Sequence, residues 1–512
     1  MLGYSLYSLG GVLLLLVVLY RLGYCVYLLW FHHLSKYPGP KLAAISEIWY
    51  VKTWISGEWP RKIYEAHRKY GDIVRIAPNE LSFRTPQSFK DLYGPPSKTR
   101  KLFPKSERFY DMGTTNLALE MDPEEHAKQY KLFAPAFRTS ALRSQEHVIQ
   151  EHVDLLVSQI RRRGVSTGEA LNMALWLEWL TFDIIGELTF GESFHAVKET
   201  RSHYWVTVLL GFNYGGSLVA MRHRLSILGP ILRWAPVFSK AAEETTRGLE
   251  QHKKLTIEKT QKRIAMGPSH KTQDFFAHAL QHGTEEEKEL KKLSEQAMIF
   301  ITAGAETNAH ALGSTMWFLA HPDYAHCMKK LQDEVRGTFA RYEDITGDRA
   351  AQLPYLQAVL DEALRMVPPA PAGPPRVSPG ETVDGVYMPA GTYVSTDLWA
   401  LHHDERNVER PWEFDPSRWL VAGEGEEGEA GTKRRQRPFT APFSMGPRMC
   451  IGINLAWIEM RVALAKMVYA FDWEIEEGCP NWLTENKLYV LWKKPKLMIK
   501  LKDASGKGSS VG

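Results

Sequence analysis

The chain has only four cysteines in 512 residues, Cys25, Cys327, Cys450 and Cys479. They are too few and too scattered for a disulfide framework, and they suit a reducing compartment. Net charge is also scarce, +4 with both signs interspersed, so the basic footprint of a nucleic-acid binder is excluded. No Gly/Ser linker separates segments of comparable size and no repeat of solenoid period recurs, which argues against a string of domains or an array. Charged side chains are missing altogether from residues 1–20. A second Cys or His is missing at ligand spacing around Cys450, which disfavours zinc there.

The uncharged start contains "GVLLLLVVLY", and as a helix residues 1–20 would reach about 30 Å, enough to cross a bilayer. After Arg21 the chain turns apolar again through "LGYCVYLLWF". Arg21, His32, His33 and Lys36 supply the first positive charges, and positive flanks stay cytosolic. A cleaved signal peptide is the rival reading, but it would need a basic leading region and a small-residue cleavage pattern after the apolar run. Residues 1–36 are therefore expected to form a membrane anchor. "YPGPK", residues 37–41, follows as a stiff non-helical hinge. Residues 42–512 are expected to form one large catalytic domain, for which a 44% apolar share gives ample core.

Apolar residues recur at three and four in "VDLLVSQIRRR", "LWLEWLTFDIIGELTF" and "LSEQAMIFITAGAETNAHALGSTMWFLA", so helices dominate from about residue 59 to 366. "ETVDGVYMPAGTYVSTDLWA" changes texture, with β-branched and aromatic residues between Gly and Pro turns, and predicts short strands. The expected class is mainly α with small β-sheets. "AGEGEEGEAGTKRRQR", residues 422–437, reads as an exposed loop.

Near the end stands "PFSMGPRMCIG", residues 442–452, a lone cysteine in a glycine-punctuated loop that leads into the helical pattern "INLAWIEMRVALAKMVYAF". A sulfur near a helix N-terminus is favoured as thiolate. Gly446 and Gly452 permit tight turns around it, and Arg448 is spaced to pair with an anionic group on whatever the sulfur binds. One reading is a single axial thiolate on a metal whose other ligands come from a cofactor, haem above all. The other is a buried free cysteine in a turn.

"FSMGPRMCIG" resembles the F-x-x-G-x-R-x-C-x-G haem-binding signature of the cytochrome P-450 superfamily, meeting it at Phe443, Gly446, Arg448, Cys450 and Gly452. Further motifs follow in the family's order. "EALR" resembles its E-x-x-R, placing Glu362 and Arg365 on one helix face, and "FDPSRW" resembles the segment whose arginine, here Arg418, completes the triad. Ser417 departs from the acidic residue usual there. The resemblance implies the cytochrome P-450 fold preceded by one transmembrane helix, haem b with Cys450 as axial iron ligand, and a structural triad of Glu362, Arg365 and Arg418.

"MIFITAGAETNAHAL" resembles the superfamily's central helix, its A/G-G-x-D/E-T met by Ala303, Gly304, Ala305, Glu306 and Thr307. Small residues there admit oxygen and substrate. Dioxygen must gain two protons before its O–O bond breaks, so Thr307 and Glu306 are the implied catalytic relay. The implied propionate partners are Arg376, Arg448 and His126. Four residues after His126 the family commonly has an arginine, and this chain has Tyr130.

Expected pocket regions, residues 109–119, 205–233, 300–305 and 367–373, are mostly apolar and aromatic, which points to a lipophilic small molecule. "TFDIIGELTFGESF" and "YPGPKLAAISEIWY" are most similar to filamentous-fungal members, which decorate polyketides, terpenoids or alkaloids. The resemblance implies electrons from NADPH through NADPH-cytochrome reductase, with a cytochrome b-type protein as a second donor, and a single-pass anchor in the endoplasmic reticulum with the catalytic domain cytosolic. "TKRRQR", residues 432–437, is spaced to dock an acidic reductase or to fold onto its own acidic neighbour. Three readings stand: a monooxygenase; a fold relative performing desaturation, ring closure or rearrangement; and a non-catalytic haem sensor, for which His310 is the nearest candidate sixth ligand.

Overall fold

Apolar side chains with no polar alternation build the first helix, α1 (Leu2–Val26), which continues into a wider π-helical turn, Tyr27–Phe31. Within Leu9–Phe31 most large side chains point outward, Leu14 and Trp30 each 66% exposed, and Leu28 is the buried exception. That stretch is long and apolar enough to cross a membrane, and water is a poor surround for it. This computed structural model describes residues 2–98, 100–205, 215–218, 220–221, 223–225, 240–267, 274–420 and 437–504. The acidic and basic loop, apart from Arg437, and most of the 205–233 pocket stretch lie outside the described residues.

The apolar helix meets the rest of the chain through Arg75. Its Nη1 donates to the Leu28 carbonyl at 2.8 Å, and its backbone N–H donates to the Pro38 carbonyl at 2.8 Å. A Cβ at Gly39 would stand 2.2 Å from the Arg75 oxygen, so only glycine allows this approach. Leu28 and Leu34 are already buried, ahead of the prolines.

Arg75 lies in β1 (Ile73–Ala77), paired antiparallel with β2 (Glu80–Phe83). This hairpin falls inside the stretch expected to be helical: "IVRIAPNELSF" is short, and its turn separates two alternating runs. Its far edge pairs in parallel with Tyr393–Thr396, which pairs in turn with Arg376–Val377. The strands expected between residues 376 and 399 are present at Arg376–Val377, Glu381–Val383, Val386–Met388 and Tyr393–Thr396.

Helices make up the bulk. Three position the site: α2 (Pro123–Phe133), α3 (Met173–Phe190) and α4 (Leu290–Ala320). α3 is apolar nearly all round and almost wholly buried, as a helix through the centre of a large core must be. It packs on α4 through a notch at Gly304, where a Cβ would meet the Ile185 side chain at 2.6 Å. One turn away on α3, the Thr181 hydroxyl donates to the Ala305 carbonyl at 2.8 Å. Two later helices complete the frame, α5 (Pro354–Met366) and α6 (Ile453–Ala470).

Candidate active site

Cys450 stands at the entrance to α6, whose N-cap is Gly452. Its backbone N–H donates to the Phe443 carbonyl at 2.9 Å, closing the loop, and Phe443 packs on Trp457. Gly446 has φ +69°, and a Cβ there would meet the Tyr93 carbonyl oxygen at 2.3 Å, so conformation and space both demand glycine. Gly452 has φ −85°, which any residue adopts. A Cβ there would stand 3.9 Å from Sγ, an ordinary contact, so neither conformation nor space demands glycine at this position.

The thiol opens onto a cavity of about 320 Å³ and is accessible from it. Burial pushes its pKa up, and a hydrogen bond from the Gly452 backbone N–H pulls it down. Across the cavity, α4 contributes Phe300, Ala303, Gly304 and Thr307; α3 contributes Ile185. The Thr307 hydroxyl lines it while donating to the Ala303 carbonyl at 2.6 Å. Among the described residues no three His, Cys, Asp or Glu side chains gather as a metal-binding set. A larger cleft of about 850 Å³, lined by Arg84, Lys90, Asp404 and Arg406, carries none of this chemistry.

Four basic side chains converge beside the cysteine loop. Arg448 donates to the carbonyls of Glu120 (2.7 Å) and Met121 (3.1 Å). Arg376 donates to the Pro375 carbonyl (3.2 Å) and the Tyr110 hydroxyl (3.3 Å), its guanidinium over the Tyr93 ring. His126 is buried on α2, its pKa lowered to about 4 by burial and then by Arg448 and Lys105. Lys105 is the member sequence reasoning missed. Residues 104–106 run alongside Arg376–Val377 as an extra edge, Lys105 bridging Arg376, and its Nζ donates to the Ala118 carbonyl at 2.7 Å. Burial, followed by Arg448 and Arg376, pushes Lys105 down to about 6. Its only sequence signal is a lysine in an otherwise apolar "LFPK" run. Among the described residues no carboxylate forms an ion pair with Lys105, Arg376 or Arg448. Tyr130 stacks its ring on His126 at 6.1 Å, half-buried against the core.

Glu306 does not share Thr307's surroundings. It turns out of the cavity to Lys494, Oε2 to Nζ 2.6 Å, and Lys494 also pairs with Glu178 at 2.8 Å. Adjacent residues on a helix point about 100° apart, which accounts for the separation. His310, one turn on, is buried between the rings of Trp482 and Trp492, away from the cavity. A further acid went unread: Glu459 on α6 is fully buried, accepts a hydrogen bond from Asn308, and is pushed up to about 8 by burial.

The structural trio assembles as one buried cluster. Arg365 grips Glu362 with two bonds of 2.9 Å, and Arg418 Nε donates to Glu362 at 2.8 Å. The Trp419 indole and the Asp415 backbone N–H fill the remaining acceptor positions on that carboxylate. Remaining guanidinium donors bind the carbonyls of His402, Pro411, Glu409 and Glu413. This ties α5 to the segment that precedes the cysteine loop.

A family model described as cytochrome P-450 matches residues 38–501. The cytochrome P-450 monooxygenase BOA3 of Botryotinia fuckeliana is 36% identical over 498 residues, covering 97% of this chain and 96% of its own length. ORF9 of Penicillium roqueforti is 33% identical, covering 98% and 96%. The monooxygenase astJ of Aspergillus oryzae is 35% identical, covering 93% of each.

Proposed function

The chain belongs to the cytochrome P-450 family and is an oxidoreductase of the monooxygenase class, and from that premise we propose that it oxidises a lipophilic fungal secondary metabolite with Cys450 as the thiolate ligand of haem b. The carrying observation is the imbalance of charge around Cys450. Lys105, His126, Arg376 and Arg448 crowd together with backbone carbonyls and ring faces as partners, an arrangement that fits the two carboxylates of haem beside an open thiol. Bound there, haem supplies reductive activation of dioxygen and insertion of one oxygen atom into the substrate.

The residues of the chain then divide the work. Cys450 holds the metal, and its loop is kept narrow by Gly446. Thr307 hydroxyl faces the reacting side and hands a proton inward from its place on α4. Ala303 and Gly304, small residues lining the same cavity as Cys450, would leave room for haem and substrate there. Ile185, Phe300, Ala370 and Ala372 line the space with apolar surface, which supports a lipophilic substrate. The outward-facing apolar stretch Leu9–Phe31 supports a single-pass anchor, in our reading in the endoplasmic reticulum, where NADPH-cytochrome reductase delivers electrons. Desaturation and ring closure use the same machinery and differ in the substrate. The sensor reading loses its nearest sixth ligand, because His310 is held between two tryptophans.

The test is the carbon monoxide difference spectrum of the reduced full chain in microsomes. The band that names the superfamily is expected, and Cys450→Ala abolishes it; the shorter-wavelength band of a histidine or thiol ligand in the wild type would overturn the reading.

A further inference from the structure

Lys494 is a buried ammonium held by two carboxylates from two helices. Its side chain is 3% exposed, and those of Glu178 and Glu306 are each 9% exposed. Glu178 lies on α3, Glu306 on α4, and Lys494 on the C-terminal segment just before Met498–Asp503. The backbones cannot slide, because Thr181 bonds the Ala305 carbonyl and Ile185 fills the Gly304 notch. Glu178, Thr181 and Ile185 are spaced to form one stripe of α3. Any change in the cluster must therefore be a change of side-chain rotamer.

We infer that Lys494 and Glu178 are positioning residues for proton delivery: they hold Glu306 in a charge cluster from which it can turn toward Thr307 while Glu178 keeps the buried ammonium paired. The inference rests on the monooxygenase reading. While bound to Lys494, Glu306 faces away from the cavity that Thr307 lines, so it serves Thr307 only after leaving the lysine. With a single carboxylate partner, that departure would strand a buried cation, which is strongly unfavourable. The second carboxylate removes the obstacle. Two carboxylates on one ammonium also leave one negative charge in excess, and burial together with Glu306 pushes Glu178 up to about 7 against the pull of Lys494. The remaining titratable neighbour is His310 on α4, kept neutral by burial and by Lys494.

Glu178 is remote from the cavity, so a purely structural role predicts that a folded Glu178→Gln enzyme turns over normally per haem. The positioning role predicts otherwise. The full chain is expressed with reductase in microsomes, haem is counted by the reduced carbon monoxide spectrum, and NADPH oxidation is followed without added substrate in H2O and in D2O. Electron entry is checked by the rate of carbon monoxide binding after NADPH is mixed in. For Glu178→Gln we expect normal electron entry, NADPH oxidation slowed about tenfold per haem, and a solvent isotope effect raised about twofold. Glu178→Asp should recover most of the rate. In an infrared titration the carboxyl absorption lost near neutral pH should be reduced in Glu178→Gln relative to the wild type, the part due to Glu459 remaining. Wild-type rate and isotope effect in Glu178→Gln at full spectrum would overturn the inference; should that variant fail to load haem, the same result in Lys494→Gln overturns it. Failure of the wild-type spectrum would instead overturn the monooxygenase reading.

Discussion

Two buried groups of charge in this molecule are built differently. Around Glu362 every hydrogen-bonding group is answered: two arginines, an indole and a backbone N–H converge on one carboxylate, and the spare guanidinium donors end on carbonyls. Beside Cys450, Lys105, His126, Arg376 and Arg448 face one another with carbonyl, hydroxyl and aromatic partners; burial lowers Lys105 and His126, and the neighbouring basic groups lower both further. The first is a finished piece of scaffold. In the second no carboxylate among the described residues forms an ion pair with the basic side chains, so a carboxylate at the centre is what separates the frame from the candidate site.

The largest effect should come from breaking the finished group. Arg365→Ala leaves Glu362 buried with half of its grip removed, and a loss of about 3–5 kcal/mol is expected with or without haem. Denaturant unfolding of the full chain in detergent would measure it. In the unfinished group the sign should divide: Arg376→Met relieves repulsion, so the haem-free protein is at least as stable as wild type, while haem retention falls about tenfold. Transfer of haem to an acceptor apoprotein reads the second quantity. Equal destabilisation of both forms by Arg376→Met would erase the distinction.

A smaller effect follows from the pH behaviour of Lys105. Its ordinary pKa of 10.5 is lowered to about 6 in the fold, so between those values the unfolded chain binds more protons than the folded one. The contribution of Lys105 to haem-free stability is therefore unfavourable at low pH, and stability should rise as pH climbs from about 6 toward 10.5. An anion reverses the shift. Binding haem near pH 7.5 should accordingly take up about one proton through this lysine, and Lys105→Met should abolish most of that uptake. Calorimetry in buffers of different ionisation enthalpy measures it.

Much of the site was legible because glycine, cysteine and spacing carry it. Gly446 is fixed by a positive φ, Cys450 by its place before α6, and Glu362 with Arg365 by one turn of helix. What stayed hidden depends on contacts between distant segments. Lys105 reaches Arg376 across 271 positions through a two-residue strand edge, which no local pattern announces. Glu306 reads beside Thr307 in sequence, yet its partner Lys494 arrives from the C-terminal segment and turns it outward. The hairpin at residues 73–83 was absorbed into its helical surroundings because each strand is only four or five residues long.

The smallest expected effect tests whether Lys105 stands in for the arginine that the family has where this chain has Tyr130. Tyr130 lies one turn after His126 and stacks on it, so an arginine there would add a further cation to a group that already holds Lys105, Arg376 and Arg448. Haem would bring two carboxylates, and those three side chains would already answer them. Tyr130→Arg alone should therefore change haem retention by less than about twofold, and Tyr130→Phe by no more. In Lys105→Met the balance is different, because one cation has gone and position 130 is near enough to supply another. Tyr130→Arg should then recover most of what Lys105→Met loses, and the non-additivity of the pair is the measurement. Simple additivity would mean that the two positions serve different carboxylates, and Lys105 would then be an independent contact.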